Sequence, residues 1–167
     1  FMVAFIGGPF AINAMKGGQG AILMTFAWAG LIGFLFSGVI GAYLRIPGGG
    51  AIVFNALATT TVLFASLSAY AVVSRKDFSF MGGFLMAGLI VALVAIVANL
   101  FLQIPLLSLA ISGVVVLLMC GLILFETSRL IHDGNANPVF IVVSLFSSFV
   151  VLFSHLLNLF ALLSGDD

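Results

Sequence analysis

The sequence is poor in charge and in cysteine. Only 6% of its 167 residues are charged, with five basic residues balancing five acidic ones, whereas about 25% of the residues in an average soluble domain are charged. So few charges cannot cover a soluble globule, which excludes a soluble enzyme, and the absence of a basic patch excludes a nucleic-acid-binding protein. The single cysteine, Cys120, can form no intrachain disulfide, and we interpret it as a small buried hydrophobic residue.

Long apolar runs fill most of the chain, since 63% of the residues are hydrophobic. A helix that spans about 30 Å of hydrocarbon needs roughly 20 apolar residues. Division at charges, prolines and glycine clusters predicts six helices, at about 1–15, 21–44, 50–74, 80–102, 106–131 and 138–163. Runs such as 88–97 do not alternate as the strands of a membrane barrel would. We therefore predict an all-α integral membrane protein, a polytopic helical bundle that forms a single transmembrane domain over residues 1–167.

The connections between these helices are too short to hold a soluble domain, and their charge predicts the topology. Arg45 and the acidic tail fall on one side, and the other four basic residues fall on the opposite side: Lys16, Arg75, Lys76 and Arg129. The positive-inside rule places the latter side in the cytoplasm and the C-terminus outside. Because the first helix is short and the chain begins at Phe1, we expect this helix to be truncated and a further helix to precede it.

Small residues recur every four positions along the second helix. They are Thr25, Ala29, Gly33, Ser37 and Gly41. Small side chains let helix backbones approach closely in lipid, where packing replaces the hydrophobic driving force. The stripe predicts helix packing, and a seam within a compact monomeric bundle is favoured over an oligomer or partner interface.

Glu126 is the only carboxylate within a predicted span, which makes it a candidate functional residue. Two interpretations stay open. In the first, Glu126 forms an ordinary i,i+3 pair with Arg129, whose side chain snorkels toward the interface. In the second, Glu126 titrates inside the bundle as a cation or proton gate. The last helix places Ser144, Ser147 and Ser148 at a similar depth, and none of them adds a second charge.

His155 lies near the opposite end of the last helix, where we expect Asn158 and Asn99 as its neighbours. We interpret it as a hydrogen-bonded core residue, because no second His or Cys lies at metal-ligand spacing. His132 is interpreted as a solvated loop residue. The sequence contains no catalytic triad, HExxH motif or phosphate-binding glycine loop, so we predict neither an enzyme nor a cofactor.

Two strings of residues together resemble the Bax inhibitor family (TMBIM, UPF0005-type membrane proteins). They are Arg75-Lys-Asp-Phe-Ser-Phe-Met-Gly-Gly83, whose first three residues, Arg75, Lys76 and Asp77, form the family's motif loop, and Gly121-Leu-Ile-Leu-Phe-Glu-Thr-Ser128. Further matches are Ala98-Asn-Leu-Phe101, Ile104-Pro105 and Ser144-Leu-Phe146. The resemblance runs from about Gly17 to the C-terminus and is closest to the bacterial YccA branch.

The resemblance implies a bundle of seven helices with the last one near the centre, of which about six are visible here and the first is missing or truncated. Some members of the family are pH-sensitive calcium leak channels that use two facing carboxylates and an arginine. Glu126 falls on the first carboxylate position, Ser148 on the second, and about Asn13 on the arginine. Without the second carboxylate the site loses charge that Ca²⁺ requires.

The YccA branch instead binds and restrains the membrane AAA protease FtsH with its HflK/HflC partners. The resemblance therefore implies an FtsH modulator of the bacterial inner membrane, embedded in the lipid bilayer. The alternative is a pH-sensitive Ca²⁺ or H⁺ leak that depends on Glu126.

Overall fold

The computed structural model describes residues 2–16, 18–135 and 137–164, and this part of the chain is helical. The six α-helices are α1 (Met2–Ala14), α2 (Gln19–Leu44), α3 (Gly49–Ser74), α4 (Gly82–Leu102), α5 (Pro105–His132) and α6 (Pro138–Ser164). A 3₁₀ turn, Ser79–Met81, precedes α4. These bounds lie within two residues of the predicted ones, because charges, prolines and glycines interrupt the apolar runs where the helices end.

Five of the described helices, α2 to α6, are long and apolar enough to cross a membrane. The exception is α1, which has 13 residues and packs against α2 and α6. The indole nitrogen of Trp28 on α2 donates a hydrogen bond to the Ala4 carbonyl, at 2.8 Å. At Gly8 the ring of Trp28 leaves no room for a Cβ, so glycine is required where α1 passes this tryptophan.

The centre of the bundle is formed by α5 and α6, which pack on each other along most of their length. α5 also contacts α3 and α4, while α6 contacts α1, α2 and α3. The main core includes the fully buried Ile123 of α5 and Leu152 of α6, packed with Ile52 of α3 and Leu85 of α4. By contrast, most side chains of α2 and α4 face outward, as lipid-facing helices require.

Glycines permit close approach at the α4–α5 seam. A Cβ added at Gly88 would lie 2.6 Å from Leu118, and one at Gly121 would lie 2.8 Å from Leu85. The two helices therefore meet at a distance that a larger residue would not allow.

The small-residue stripe of α2 has a different environment. A Cβ at Gly33 or Gly41 would meet no atom within 4 Å, Ser37 is exposed, and Ala29 is half-buried. The stripe lies beside the buried face of the helix, which carries the bulky residues Trp28, Ile32 and Phe36. Gly33, Ser37 and Gly41 therefore do not form the internal seam that the sequence favoured. The bulky residues of the neighbouring face make the contacts with the other described helices instead.

Candidate functional site

Glu126 lies on α5 about one and a half turns from its C-terminal end, and its nearest charge is on the same helix. Its Oε2 atom is 3.5 Å from Nη1 of Arg129. Glu126 is only 5% exposed, whereas Arg129 is partly exposed and places its guanidinium 5.7 Å from the centre of the Phe125 ring. Glu126 and Arg129 therefore form the expected i,i+3 ion pair. Arg129 is the residue nearer the C-terminal end of α5 and the more exposed of the two, as a snorkelling side chain is.

The neighbours of Glu126 on α6 are neutral. Ser144 is its polar neighbour across the helix pair. Ser148, which the resemblance assigns to the second carboxylate position, is buried and brings no charge. The Ser147 hydroxyl donates instead to the Val143 carbonyl of its own helix, at 2.9 Å. Around Glu126 the structure thus brings together one carboxylate and one guanidinium. This geometry agrees with the first interpretation, the i,i+3 ion pair with Arg129.

Glu126 Oε2 nevertheless makes no hydrogen bond to any described residue. The same holds for the buried hydroxyl oxygens of Thr127 and Ser68. A buried polar atom without a partner carries a free-energy cost of about 1–3 kcal/mol. Glu126 Oε2 thus has the ion pair with Arg129 but no hydrogen bond, and this missing hydrogen bond is what keeps the gate hypothesis for Glu126 open.

A buried serine ties the motif loop to α5. Ser128 Oγ accepts a hydrogen bond from the Phe78 amide at 3.0 Å and lies 3.3 Å from the Lys76 carbonyl, to which it can donate. His132 Nδ1 lies 3.1 Å from the Ser128 carbonyl. His132 is the last residue of α5, and its side chain is exposed but hydrogen-bonded. Its interpretation as a loop residue is therefore wrong. Both strings are visible in the sequence, but nothing in either of them predicts that Ser128 joins them.

The motif loop itself is exposed, with Arg75 in the left-handed backbone region at φ 51°. The Ser79 amide donates to Asp77 Oδ1 at 2.9 Å, and this hydrogen bond lowers the pKa of the Asp77 carboxyl. Asp77 and His132 face a cavity of about 330 Å³ that Arg129 and Asp133 also line. Among the described residues no group of three or more His, Cys, Asp or Glu side chains is placed to hold a metal ion.

At the other end of α5 and α6 the polar residues are uncharged. Asn158 Nδ2 donates to Ser112 Oγ at 2.8 Å and lies 3.3 Å from Ser108 Oγ, while His155 Nδ1 is 3.3 Å from Ser112 Oγ. The structure places Asn99, His155 and Asn158 around one cavity of about 220 Å³. Ser108 and Ser112 escaped sequence reasoning, although their i,i+4 spacing puts both on one face of α5.

Residues 1–165 match the family described as "Inhibitor of apoptosis-promoting Bax1". The chain belongs to this Bax inhibitor family. Its all-helical fold and its five candidate membrane spans are those of a multi-pass membrane protein of that family.

Bacterial relatives match over most of the chain. The Escherichia coli protein named "Modulator of FtsH protease YccA" is 43% identical over 145 residues, which are 87% of this chain and 66% of YccA. An uncharacterized protein of Pseudomonas aeruginosa is 38% identical over 99% of this chain and 75% of its own length. An uncharacterized membrane protein of Vibrio cholerae is 36% identical over 95% of this chain and 70% of its own. The chain thus spans about two thirds to three quarters of these relatives.

Proposed function

We propose that this chain is part of an inner-membrane protein that binds and restrains the membrane protease FtsH together with its HflK/HflC partners. The observation that carries the proposal is the 43% identity to the Escherichia coli protein whose name states that it modulates FtsH. The family and that name point to a modulator or channel rather than an enzyme.

The α5–α6 site supports a protein that acts by contact. Its intramembrane carboxylate, Glu126, is paired with Arg129 on the same helix, and Ser148, which the family resemblance assigns to the second carboxylate position, carries no charge. The connections between the described helices run to a few residues each, so a partner is contacted within the bilayer or at these short segments. Ser128 fixes the shape of the segment that contains Lys76 and Phe78, which makes it a defined surface at the side that we propose is cytoplasmic, with the C-terminus outside.

The test is recovery of the full-length protein from mildly solubilised membranes with identification of what accompanies it, together with turnover of a membrane substrate of FtsH during overexpression. We expect FtsH, HflK and HflC in the complex and slower turnover. Glu126→Gln serves as a matched variant that removes the intramembrane charge and leaves both readouts unchanged. Recovery of the protein alone, in a detergent that preserves FtsH complexes, would refute the proposal.

A second function is favoured by one observation, the buried Glu126 oxygen that no described residue hydrogen-bonds. In this alternative Glu126 carries a pH-sensitive Ca²⁺ or H⁺ leak. Glu126→Gln is then expected to abolish pH-dependent calcium flux in proteoliposomes, and Ser148→Asp to increase it, because a second carboxylate adds an oxygen ligand and a negative charge. Equal flux through wild type, Glu126→Gln and empty liposomes would exclude the leak.

A further inference from the structure

A partly open cavity with a polar lining lies between α4, α5 and α6, at the end of the bundle away from the motif loop. Its volume is about 220 Å³, while a water molecule occupies about 30 Å³ in the liquid. Five polar side chains line it, from α4 (Asn99), α5 (Ser108 and Ser112) and α6 (His155 and Asn158). The space holds several small molecules or one group of several heavy atoms.

The lining of this cavity is a built network rather than a scatter of surface groups. Ser112 is only 1% exposed and lies between Asn158 Nδ2, at 2.8 Å, and His155 Nδ1, at 3.3 Å. Asn99 Oδ1 is held by the Ile104 amide at 3.1 Å. The polar side chains are therefore fixed by hydrogen bonds from two helices and the α4–α5 turn.

The network leaves hydrogen-bonding capacity unused. No hydrogen bond within the described part of the chain engages Asn99 Nδ2 or Asn158 Oδ1, so the cavity keeps a donor and an acceptor free. Both atoms keep accessible surface, since the buried atoms without a partner in the described part of the chain belong to Ser68, Glu126 and Thr127. A guest that donates and accepts would therefore reach both.

The uncharged lining of the cavity disfavours charged ligands. Among residues 2–16, 18–135 and 137–164, no Asp, Glu, Lys or Arg lines the cavity, and the remaining lining residues are Ile96, Leu100 and Ile111. A phosphate or an ammonium group would enter without a counter-charge, which the desolvation cost opposes. A hydroxyl or amide group meets no such opposition. Leu100, at the edge of the cavity, is 69% exposed and offers an apolar path toward the lipid.

We propose that this cavity is a binding site for an uncharged hydrogen-bonding group, a hydroxyl or an amide, presented by a small solute from water or by the uncharged head of a lipid. Asn158 and Asn99 are the recognition residues, and Ser112 holds Asn158 and His155 in position. The site is separate from Glu126 and does not depend on the proposed FtsH function.

The proposal can be tested with a single reporter thiol. In the full protein in liposomes, with Cys120→Ala as background, Ser112→Cys is treated with uncharged methyl methanethiosulfonate and with its cationic trimethylammonium-ethyl and anionic sulfonatoethyl analogues. We expect the uncharged reagent to react about tenfold faster, relative to its reaction with a free thiol, because a charge must be desolvated to enter. Val115→Cys, 3% exposed and about one turn further along α5, is the matched control and should stay unreactive.

Competitors then identify the source of the group. Slower labelling of Ser112→Cys in aqueous glycerol indicates a solute site, and slower labelling with diacylglycerol in the bilayer indicates a lipid-head site. The proposal is overturned if neither competitor slows the reaction, if the charged reagents react as fast as the uncharged one, or if Val115→Cys reacts equally. Should Ser112→Cys fail to fold, Ser108→Cys, which also lines the cavity and leaves Asn158 and Asn99 in place, serves as the reporter with the same expectations.

Discussion

The two ends of the α5–α6 pair accommodate buried polar side chains in different ways. At the motif-loop end, the buried carboxylate of Glu126 is paired with the guanidinium of Arg129 on the same helix. At the other end, the described residues that line the cavity carry no Asp, Glu, Lys or Arg, and Asn158 and His155 both lie within hydrogen-bonding distance of Ser112. Buried charges need partners, while buried neutral groups need only hydrogen bonds. A single helix pair can thus hold an ion pair at one level and a neutral pocket at another.

The largest expected effect comes from breaking the charged end. Arg129→Leu leaves the Glu126 carboxylate buried without its counter-charge, and we expect a loss of about 2–3 kcal/mol in the free energy of unfolding, below the full cost of a buried pair because Arg129 is partly exposed. Unfolding by denaturing detergent measures it. Adding Glu126→Gln should recover most of the loss, and exposed Arg75→Leu should show little. A double variant no more stable than Arg129→Leu would contradict the pairing.

Breaking the neutral end should cost less. Asn158→Leu removes the donor that Ser112 accepts from, and we expect about 1–2 kcal/mol of destabilisation. Because no charge is involved, the loss should not change with salt, which separates it from the Arg129→Leu effect. The matched control is Asn55→Leu, at an exposed position of α3. Equal effects at both positions would show that the network contributes nothing.

The attachment of the motif loop is a smaller contribution. Ser128→Ala removes the acceptor for the Phe78 amide, and we expect about 1 kcal/mol of destabilisation with faster hydrogen exchange at that amide. Ser154→Ala is the control, because the Ser154 hydroxyl bonds only the Val150 carbonyl of its own helix. Unchanged exchange at Phe78 would mean that the loop keeps its shape without Ser128.

The smallest effect concerns the pH dependence of the loop. The Ser79 amide lowers the pKa of Asp77 in the folded protein, so the ionised carboxylate adds stability that is fully present above the unfolded pKa of about 3.9 and is lost as the pH falls through the lower folded pKa. Asp77→Asn should flatten this part of the stability curve. Chemical unfolding followed below about pH 5 measures it, and an identical acid slope in both proteins would contradict the assignment.

The helices could be predicted from the sequence because the length of an apolar run and the residues that interrupt it are local properties. Depth along a helix also predicts partners, which is how Asn99 and Asn158 were expected near His155. The rotation of a helix about its own axis could not be predicted in this way. The four-residue spacing of Gly33, Ser37 and Gly41 places them on one face without stating what that face meets, and the bulk of Trp28 and Phe36 decided it. The contact of Ser128 with the loop 50 residues earlier depends on the same tertiary rotation.

The hydrogen bonds of Ser128 also have a mechanical consequence. The segment of Lys76 and Phe78 joins α3 to α4 along the chain, yet its backbone is fastened to α5. A pull on this segment is therefore transmitted to the helix that carries Glu126 and Arg129, two and one residues away from Ser128, as well as to the two helices that the segment connects. A force applied to the motif loop therefore acts on α5, one of the two central helices, through the hydrogen bonds of Ser128.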